Sequence, residues 1–320
     1  MVTLSSPGST VAACVGYDNY NNKGSKIIQN AGNTSAPVLS IAIVNWNTRD
    51  LLLQALESIF AHPAPSLEVI VVDNASSDGS ADAVRAQYPQ VHVIANSHNA
   101  GYAEGNNQAL RLAAGSYILL LNPDVILPGG ALTNAVAFME AHPKAGALGV
   151  RQVHPDGSLQ RSVRGFPSPL AVLWELLGLS RLLPNSRTFG TYRMTWFGYD
   201  REIEVDQPMG TFLLLSARAV REVGLLDEAF PIFFNEVDWC LRCKRAGWSI
   251  YFVPDIEIVH YGGASTIQVG AAMAWESRRG LLTFYQKHYS GALFWPIRTF
   301  ISLVSWPYAW LQSRRRAAAE

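Results

Sequence analysis

Three short stretches of this 320-residue chain set carboxylates where they can do chemistry. In V-V-D-N-A-S-S-D-G-S, from Val71 to Ser80, Asp73 closes an apolar run and can accept from a pyrimidine imide or a ribose hydroxyl. Asp78 and Gly79 follow in the turn, and an ordinary Asx turn is the plain alternative for all of them. In L-L-L-N-P-D, from Leu119 to Asp124, a polar triplet drops straight off another apolar run. Asp124 there can bind a hard divalent cation that bridges two phosphates, as Mg²⁺ is held by one or two carboxylates plus substrate oxygens. Such an ion stabilises charge on a departing diphosphate. In F-F-N-E-V-D-W-C, from Phe233 to Cys240, Asn235 as N-cap would set Glu236 and Asp238 in the first turn of a helix. The helix dipole alone explains acids at that place, but two carboxylates beside an aromatic run also suit general-base work on a hydroxyl, with Asp238 as the base and Glu236 supporting it. His260, followed by Tyr261, Gly262 and Gly263, is a candidate metal or phosphate ligand, although a lone His is more often structural.

These residues need a frame that brings them together. Apolar runs at Val38 to Val44, Leu67 to Val72, Val91 to Ala95 and Tyr117 to Leu121 read as strands. Between them lie amphipathic segments: one capped by Thr48 with Leu52, Leu56, Ile59 and Phe60 on one face, one opened by Asp78 and Gly79, and one from Asn106 to Ala113. Such alternation implies βαβ units and a mainly parallel, Rossmann-like α/β sheet. Ligands bind beyond the carboxyl ends of its strands, and there stand Asn45 and Asn47, Asp73 and Asn74, Asn96, and Asn122 with Asp124. Further on, a helix and strand span Gly129 to Val150, and H-P-D-G from His154 to Gly157 makes a turn. Residues 160 to 206 show weak periodicity and read as a connection that shapes the acceptor side. A strand is expected over Gln207 to Leu215, helices over Ala217 to Val223 and from Asn235 to Gly247, and paired strand elements broken at Pro254 over Ile250 to His260.

Composition narrows the function. Nearly half the residues are apolar and the formal net charge is zero, which removes the simplest electrostatic case for nucleic-acid binding. Three cysteines, Cys14, Cys240 and Cys243, are too few for a disulfide scaffold and point to a reducing, cytoplasmic compartment. The Cys240–Cys243 pair lacks a second pair at zinc spacing and reads as ordinary helix cysteines. Residues 1–36 read as a flexible leader without a signal peptide, 37–290 as the catalytic domain, and 291–320 as an apolar and basic C-terminal segment. In that last segment Leu293 to Leu311 is almost uncharged, but Pro296, Arg298 and Pro307 make it a poor membrane span. Peripheral contact at the cytoplasmic face of a membrane fits better, with Trp295, Trp306, Tyr308 and Trp310 at headgroup level and Arg314, Arg315 and Arg316 meeting anionic lipid; packing on the protein's own core is the alternative.

In order along the chain, I-V-N-W-N from Ile43, V-D-N-A-S-S-D-G from Val72, N-S-H-N-A-G-Y-A-E-G-N-N from Asn96, L-L-N-P-D from Leu120, M-G-T-F-L-L-L from Met209, F-N-E-V-D-W-C-L-R from Phe234 and His260 with its glycines resemble the family-two glycosyltransferases of the GT-A fold. The resemblance covers roughly Val38 to Tyr289. It implies inverting transfer of a sugar from a nucleoside diphosphate to a saccharide or lipid-linked acceptor, with Mg²⁺ or Mn²⁺ as cofactor. It also implies a donor site formed by Asn45, Asn47, Asp73, Asn96, Gly101, Asn122 and Asp124. Asp73 would recognise the base, Asp124 would be the last acid of a D-x-D metal motif, Asp238 the base of an E-x-D element, and His260 a further metal or diphosphate ligand. Asn122 stands where the first Asp of a D-x-D would be. N-P-D is similar to the form in bacterial enzymes that transfer rhamnose, which points to dTDP-rhamnose as donor.

Two other functions share parts of this pattern. A nucleotidyltransferase would need a Gly-rich phosphate loop where Asn45, Trp46 and Asn47 stand. A non-catalytic carbohydrate-binding protein would need no base.

Overall fold

The computed structural model describes residues 36–263, 270 and 272–317. The leader expected over residues 1–36, Ala36 apart, lies outside these residues, as do Cys14 and the side chains of Tyr308, Arg315 and Arg316. The first half of the chain alternates regularly: β1 (Leu39–Asn45), α1 (Arg49–Phe60), β2 (Leu67–Asp73), α2 (Ser80–Gln87), β3 (His92–Ala95), α3 (Gly101–Leu112) and β4 (Tyr117–Leu121). These strands pair in parallel in the order β3-β2-β1-β4. Strands covered on both faces must be apolar on both, and β1 is buried along its whole length. Ile41 and Ile43 join one core with Leu52, Leu56 and Leu119, while Ala42 and Val44 join another with Ala109, Leu120 and Trp239. The chain moves outward from β1 to β3 and returns to the far side of β1 for β4. The order therefore reverses between β1 and β4, which is where a crevice opens beyond the strand ends.

The second half continues through β5 (Val125–Ile126), α4 (Ala131–Ala141), β6 (Ala145–Val153), β7 (Leu159–Gln160), β8 (Val163–Arg164), α5 (Pro169–Leu176), α6 (Leu179–Leu182), β9 (Ile203–Glu204), β10 (Gln207–Pro208), β11 (Phe212–Ser216), α7 (Ala217–Val223), α8 (Asn235–Arg245) and β12 (Ser249–His260). α9 (Ala272–His288) and α10 (Trp295–Ala317) end it. β11 runs antiparallel between β4 and β6, and β12 lies parallel to β6. The sheet is mainly parallel, as the alternation in the sequence implies.

Several local expectations are corrected. Thr48 holds the N-cap position of α1, but without a side-chain cap bond; its hydroxyl donates to Asn45 Oδ1 at 2.6 Å, and the Arg49 amide goes to Asp78 Oδ2 at 2.8 Å. α3 starts at Gly101 rather than Asn106, because its first turn is anchored through backbone rather than apolar side chains. Tyr102 and Ala103 amides donate to Pro231 O at 2.7 and 3.2 Å, and a Cβ on Gly105 would stand 2.9 Å from Val44 Cγ1. The strand expected over Gln207 to Leu215 divides at Met209 to Thr211, since β10 pairs with β8 and β11 with β4 and β6. β12 is one strand, and a register irregularity between Val253 and Glu257 accommodates Pro254, which has no amide to donate. The cap position of α8 is Phe234, in the left-handed region at φ 72°, and Asn235 is the first helical residue.

α10 is tied to the rest by a satellite core in which Ile301 meets Val172, Phe230, Phe234, Val237, Phe284 and Tyr285. Its other faces leave Trp295, Phe300, Leu303, Trp306 and Trp310 exposed. Among the described residues no helix is long and apolar enough to cross a membrane.

Candidate active site

A cavity of about 370 Å³ occupies the crevice between the ends of β1 and β4. Val44 and Trp46 come from β1, Asn122, Pro123 and Asp124 from β4, Gly101 and Tyr102 from the start of α3, and His260 from the end of β12. Of the residues expected at the donor site, Gly101, Asn122 and Asp124 line this cavity. Asn45, Asn47, Asp73 and Asn96 do not; they build the loops behind it. Asn45 is fully buried, donates to Asp73 Oδ1 at 2.9 Å and to Ser76 Oγ at 3.2 Å, and accepts from Thr48. Asp73 also accepts from the Ser76 amide at 3.0 Å, and Asn47 Oδ1 from the Ser77 amide at 2.8 Å. Asn96 donates to Asn74 Oδ1 at 2.9 Å, and Asn74, which does line the cavity, donates to Gly101 O at 3.0 Å. This chain of bonds holds the 73–79 loop and the start of α3 as one wall.

Asp124 and His260 meet at that wall. Register pairs His260 with Val125, next to Asp124, and the Tyr261 amide donates to Asp124 O at 3.0 Å. The side chains are only 5% and 6% exposed, and His260 Nε2 stands 3.3 Å from Asp124 Oδ1. Nε2 makes no hydrogen bond there, although it is buried. A carboxylate oxygen beside a buried ring nitrogen that makes no hydrogen bond, both facing one cavity, suits ligands converging on a cation. The donor set of one carboxylate and one imidazole fits Mn²⁺ or Mg²⁺ completed by phosphate oxygens and water. No group of three or more His, Cys, Asp or Glu side chains suited to a metal occurs among the described residues.

A second cavity of about 310 Å³ adjoins the first, sharing Met209 and Phe233. Glu236 lines it, with Arg164, Tyr192, Arg193 and Gln207. Burial pushes the Glu236 carboxyl up to about 7, against backbone hydrogen bonds from Glu236 and Val237 that pull it down. Tyr102, donating to Gly210 O at 2.9 Å, is within electrostatic reach of both Glu236 and Asp124, and desolvation together with those two charges raises its pKa.

Asp238 lines neither cavity and is fully buried. Its Oδ2 accepts from Arg242 Nε at 2.8 Å, and its Oδ1 from Lys287 Nζ and His288 Nε2, both at 2.7 Å. Burial alone would raise this carboxyl, but the hydrogen bonds from His288, Lys287 and Arg242 outweigh it and hold it at about 2. A carboxylate so paired is a poor proton acceptor at neutral pH. Asp238, the base expected from the sequence, is thus held in ion pairs away from both cavities, whereas Glu236 lines one of them.

With this geometry in view, comparison with known proteins gives a consistent result. The model of the family described as Glycosyl transferase family 2 matches residues 40–204. This chain is a family 2 glycosyltransferase. The N-acetylglucosaminyl-diphospho-decaprenol L-rhamnosyltransferase of Mycobacterium tuberculosis is 26% identical to it over 287 residues, covering 84% of this chain and 92% of that protein. The rhamnosyltransferase WbbL of Escherichia coli K12 is 26% identical over 172 residues, 50% of this chain and 61% of that one. Among solved structures, the mannosyltransferase PcManGT of Pyrobaculum calidifontis, in complex with GDP-Man and Mn²⁺, superposes with a TM-score of 0.55 at 20% identity, over 89% of this chain and 75% of that one. The fold of the transferase is thus the GT-A arrangement.

Sequence reasoning missed several residues of the transferase that matter. Arg164, Tyr192 and Arg193 lie in the stretch without periodicity. Gln160 follows the H-P-D-G turn, whose hairpin pairs β7 with β6. Lys287 and His288 end α9, far along the chain from Asp238. Cys240 and Cys243 are buried free thiols, and desolvation pushes Cys243 up to about 12 and raises Cys240 too.

Proposed function

We propose that this transferase moves a sugar from a nucleoside diphosphate, with dTDP-rhamnose as the first donor to test, to a hydroxyl of a saccharide or lipid-linked saccharide, inverting the anomeric carbon, with Glu236 as general base. The observation that carries this reading is the pair of adjoining cavities, one holding the Asp124 and His260 acceptors and the other Glu236. Asp124 and His260 would hold Mg²⁺ or Mn²⁺ against the donor diphosphate, where a bound ion offsets charge on the leaving group. Glu236 takes the acceptor proton as the new bond to the anomeric carbon forms and the bond to phosphate breaks, its electron pair leaving with the diphosphate. Base and leaving group on opposite faces give a single displacement, hence inversion. Arg164 and Arg193, the latter paired with Glu175, line the second cavity and suit an acceptor that carries phosphate. The lipid-linked acceptor and the rhamnose in the name of the M. tuberculosis relative support the acceptor class and the sugar.

The test is turnover with a panel of sugar nucleotides and Mn²⁺, reading released diphosphate and product configuration. Chelation, or Asp124→Ala, should slow transfer by about 10²-fold or more, since the ion is worth several kcal/mol at the leaving group. Full activity in excess chelator would remove the metal from this reading, and a retained configuration would remove the single displacement.

The same reading sets the transferase at the cytoplasmic face of a membrane, held by the exposed Trp295, Leu303 and Trp306 of α10. Because Ile301 belongs to the satellite core, removal of the whole segment would also damage the fold, so surface substitutions are the cleaner probe. Trp295→Ser, Leu303→Ser and Trp306→Ser combined should weaken flotation with anionic vesicles by about tenfold or more, from the apolar area no longer buried in lipid. Unchanged flotation would leave α10 as a helix that only packs on its own protein.

A further inference from the structure

Gln160 is the side chain that His260 leans on. β7 carries it to the end of β12, where His260 Nδ1 and Gln160 Oε1 are 2.8 Å apart. On its other side, Gln160 Nε2 stands 2.7 Å from His260 O and 2.7 Å from His154 Nδ1. A backbone carbonyl only accepts, so the atom facing it must be the amide NH₂. The second hydrogen of that NH₂ goes to His154. The remaining atom, Oε1, can then only accept, and the His260 nitrogen opposite it must carry a hydrogen. That hydrogen sits on Nδ1, which leaves the lone pair of the neutral ring on Nε2, the atom 3.3 Å from Asp124 Oδ1 and without a hydrogen bond of its own.

We propose that Gln160 is a positioning residue that selects the Nδ1–H tautomer of His260 and aims its Nε2 lone pair at the divalent cation held with Asp124. This rests on the reading that Asp124 and His260 hold that cation. The logic is general: an imidazole ligand donates its other N–H to a carbonyl or carboxylate, which fixes both tautomer and ring orientation. Here the donor and acceptor of one amide do both tasks at once, because the bond to His260 O fixes Gln160 and the bond from His260 Nδ1 fixes the ring. The H-P-D-G turn also acquires a purpose. Its hairpin pairs Gln160 with Gln152 and Leu159 with Val153, and Val153 in turn pairs with Val259 of β12, which brings Gln160 to His260.

The experiment is ¹⁵N NMR of histidine-labelled full-length protein, with Mn²⁺ affinity measured separately by electron paramagnetic resonance. Wild type should show His260 protonated at Nδ1, without and with Mg²⁺. Gln160→Leu, of similar volume, should mix the tautomers and weaken Mn²⁺ by about 10- to 100-fold, the usual scale for losing such a partner. An Nε2–H signal in the wild-type ring would overturn the proposal, as would a folded Gln160→Leu that binds Mn²⁺ within twofold of wild type. If Asp124→Ala and His260→Ala also bound Mn²⁺ normally, the metal reading itself would fall; a loss in those two with none in Gln160→Leu would overturn only the role of Gln160.

Discussion

Glu236→Gln should lower turnover by about 10²-fold or more, with donor affinity little changed, because the amide keeps the shape of the side chain and cannot take a proton. The pH profile of the wild type should carry the same signature. Only the ionised carboxylate accepts, so kcat/KM should rise as pH climbs through about 7, where burial has moved the Glu236 carboxyl, and not near the ordinary value of 4.5. For stability the sign is opposite. The folded chain keeps this proton up to about 7, whereas the unfolded chain releases it near 4.5. The stabilisation is therefore full below about 4.5 and lost as pH rises through 7. A Glu236→Gln protein should lack both trends. Normal turnover in Glu236→Gln, together with a dead Asp238→Asn that melts like wild type, would return the base role to Asp238.

Asp238→Ala should instead unfold the protein at markedly lower temperature. Three donors converge on this one buried carboxylate: Arg242 from its own helix, and Lys287 and His288 from α9. Arg242 is itself fixed by donating to Val223 O at 2.6 Å and Leu225 O at 2.8 Å. Arg245 donates to His288 Nδ1 at 3.0 Å, so His288 Nε2 carries the hydrogen that Asp238 accepts. Removing the acid takes the acceptor from the buried His288 Nε2–H and the counter-charge from Arg242, while Lys287 keeps Asp227 at 2.6 Å, a loss of about 3–5 kcal/mol. In a domain of this size that is a fall of roughly 10 °C or more in Tm. The depressed pKa gives the acid limit. The folded carboxyl titrates at about 2 against an ordinary 3.8, so its stabilisation, about 2 kcal/mol, is present above 3.8 and disappears as pH falls through 2. Thermal melts of Asp238→Ala and Asp238→Asn at pH 7 would check this. A shift of less than about 2 °C in both would mean that the network does not hold α9 to α8.

These two acids mark the boundary between what a one-dimensional reading can reach and what it cannot. Asp124, His260 and Asn122 were legible because each stands at a strand end, and the rule that ligands gather there brings such positions to one crevice; Gly101 was not, because α3 begins a turn before the helix that apolar periodicity indicates. The parallel sheet was legible for a related reason, since strands covered on both faces must be apolar runs and the helices between them must carry one apolar face. Asn45, Asp73 and Asn96 stood at strand ends too, but whether an amide faces the cavity or the loop behind it depends on its partners, and here these are Ser76, Thr48 and Asn74.

Glu236 and Asp238 could not be told apart from their own surroundings in the sequence. They share one helical turn and differ by roughly 200° around the axis. Which of them is held in ion pairs depends on α9, whose His288 reaches Asp238 across 50 residues of chain. Gln160 likewise reaches His260 across 100 residues, through the order of β7, β6 and β12 in the sheet. The sequence by itself determined the alternation of elements and the strand ends where polar side chains collect, because local periodicity and burial dictate those. Only the tertiary structure decided which carboxylate is held in ion pairs and which faces a cavity. Pairing depends on distance in space, and burial that backbone hydrogen bonds do not offset raises one pKa while burial with three side-chain donors lowers the other.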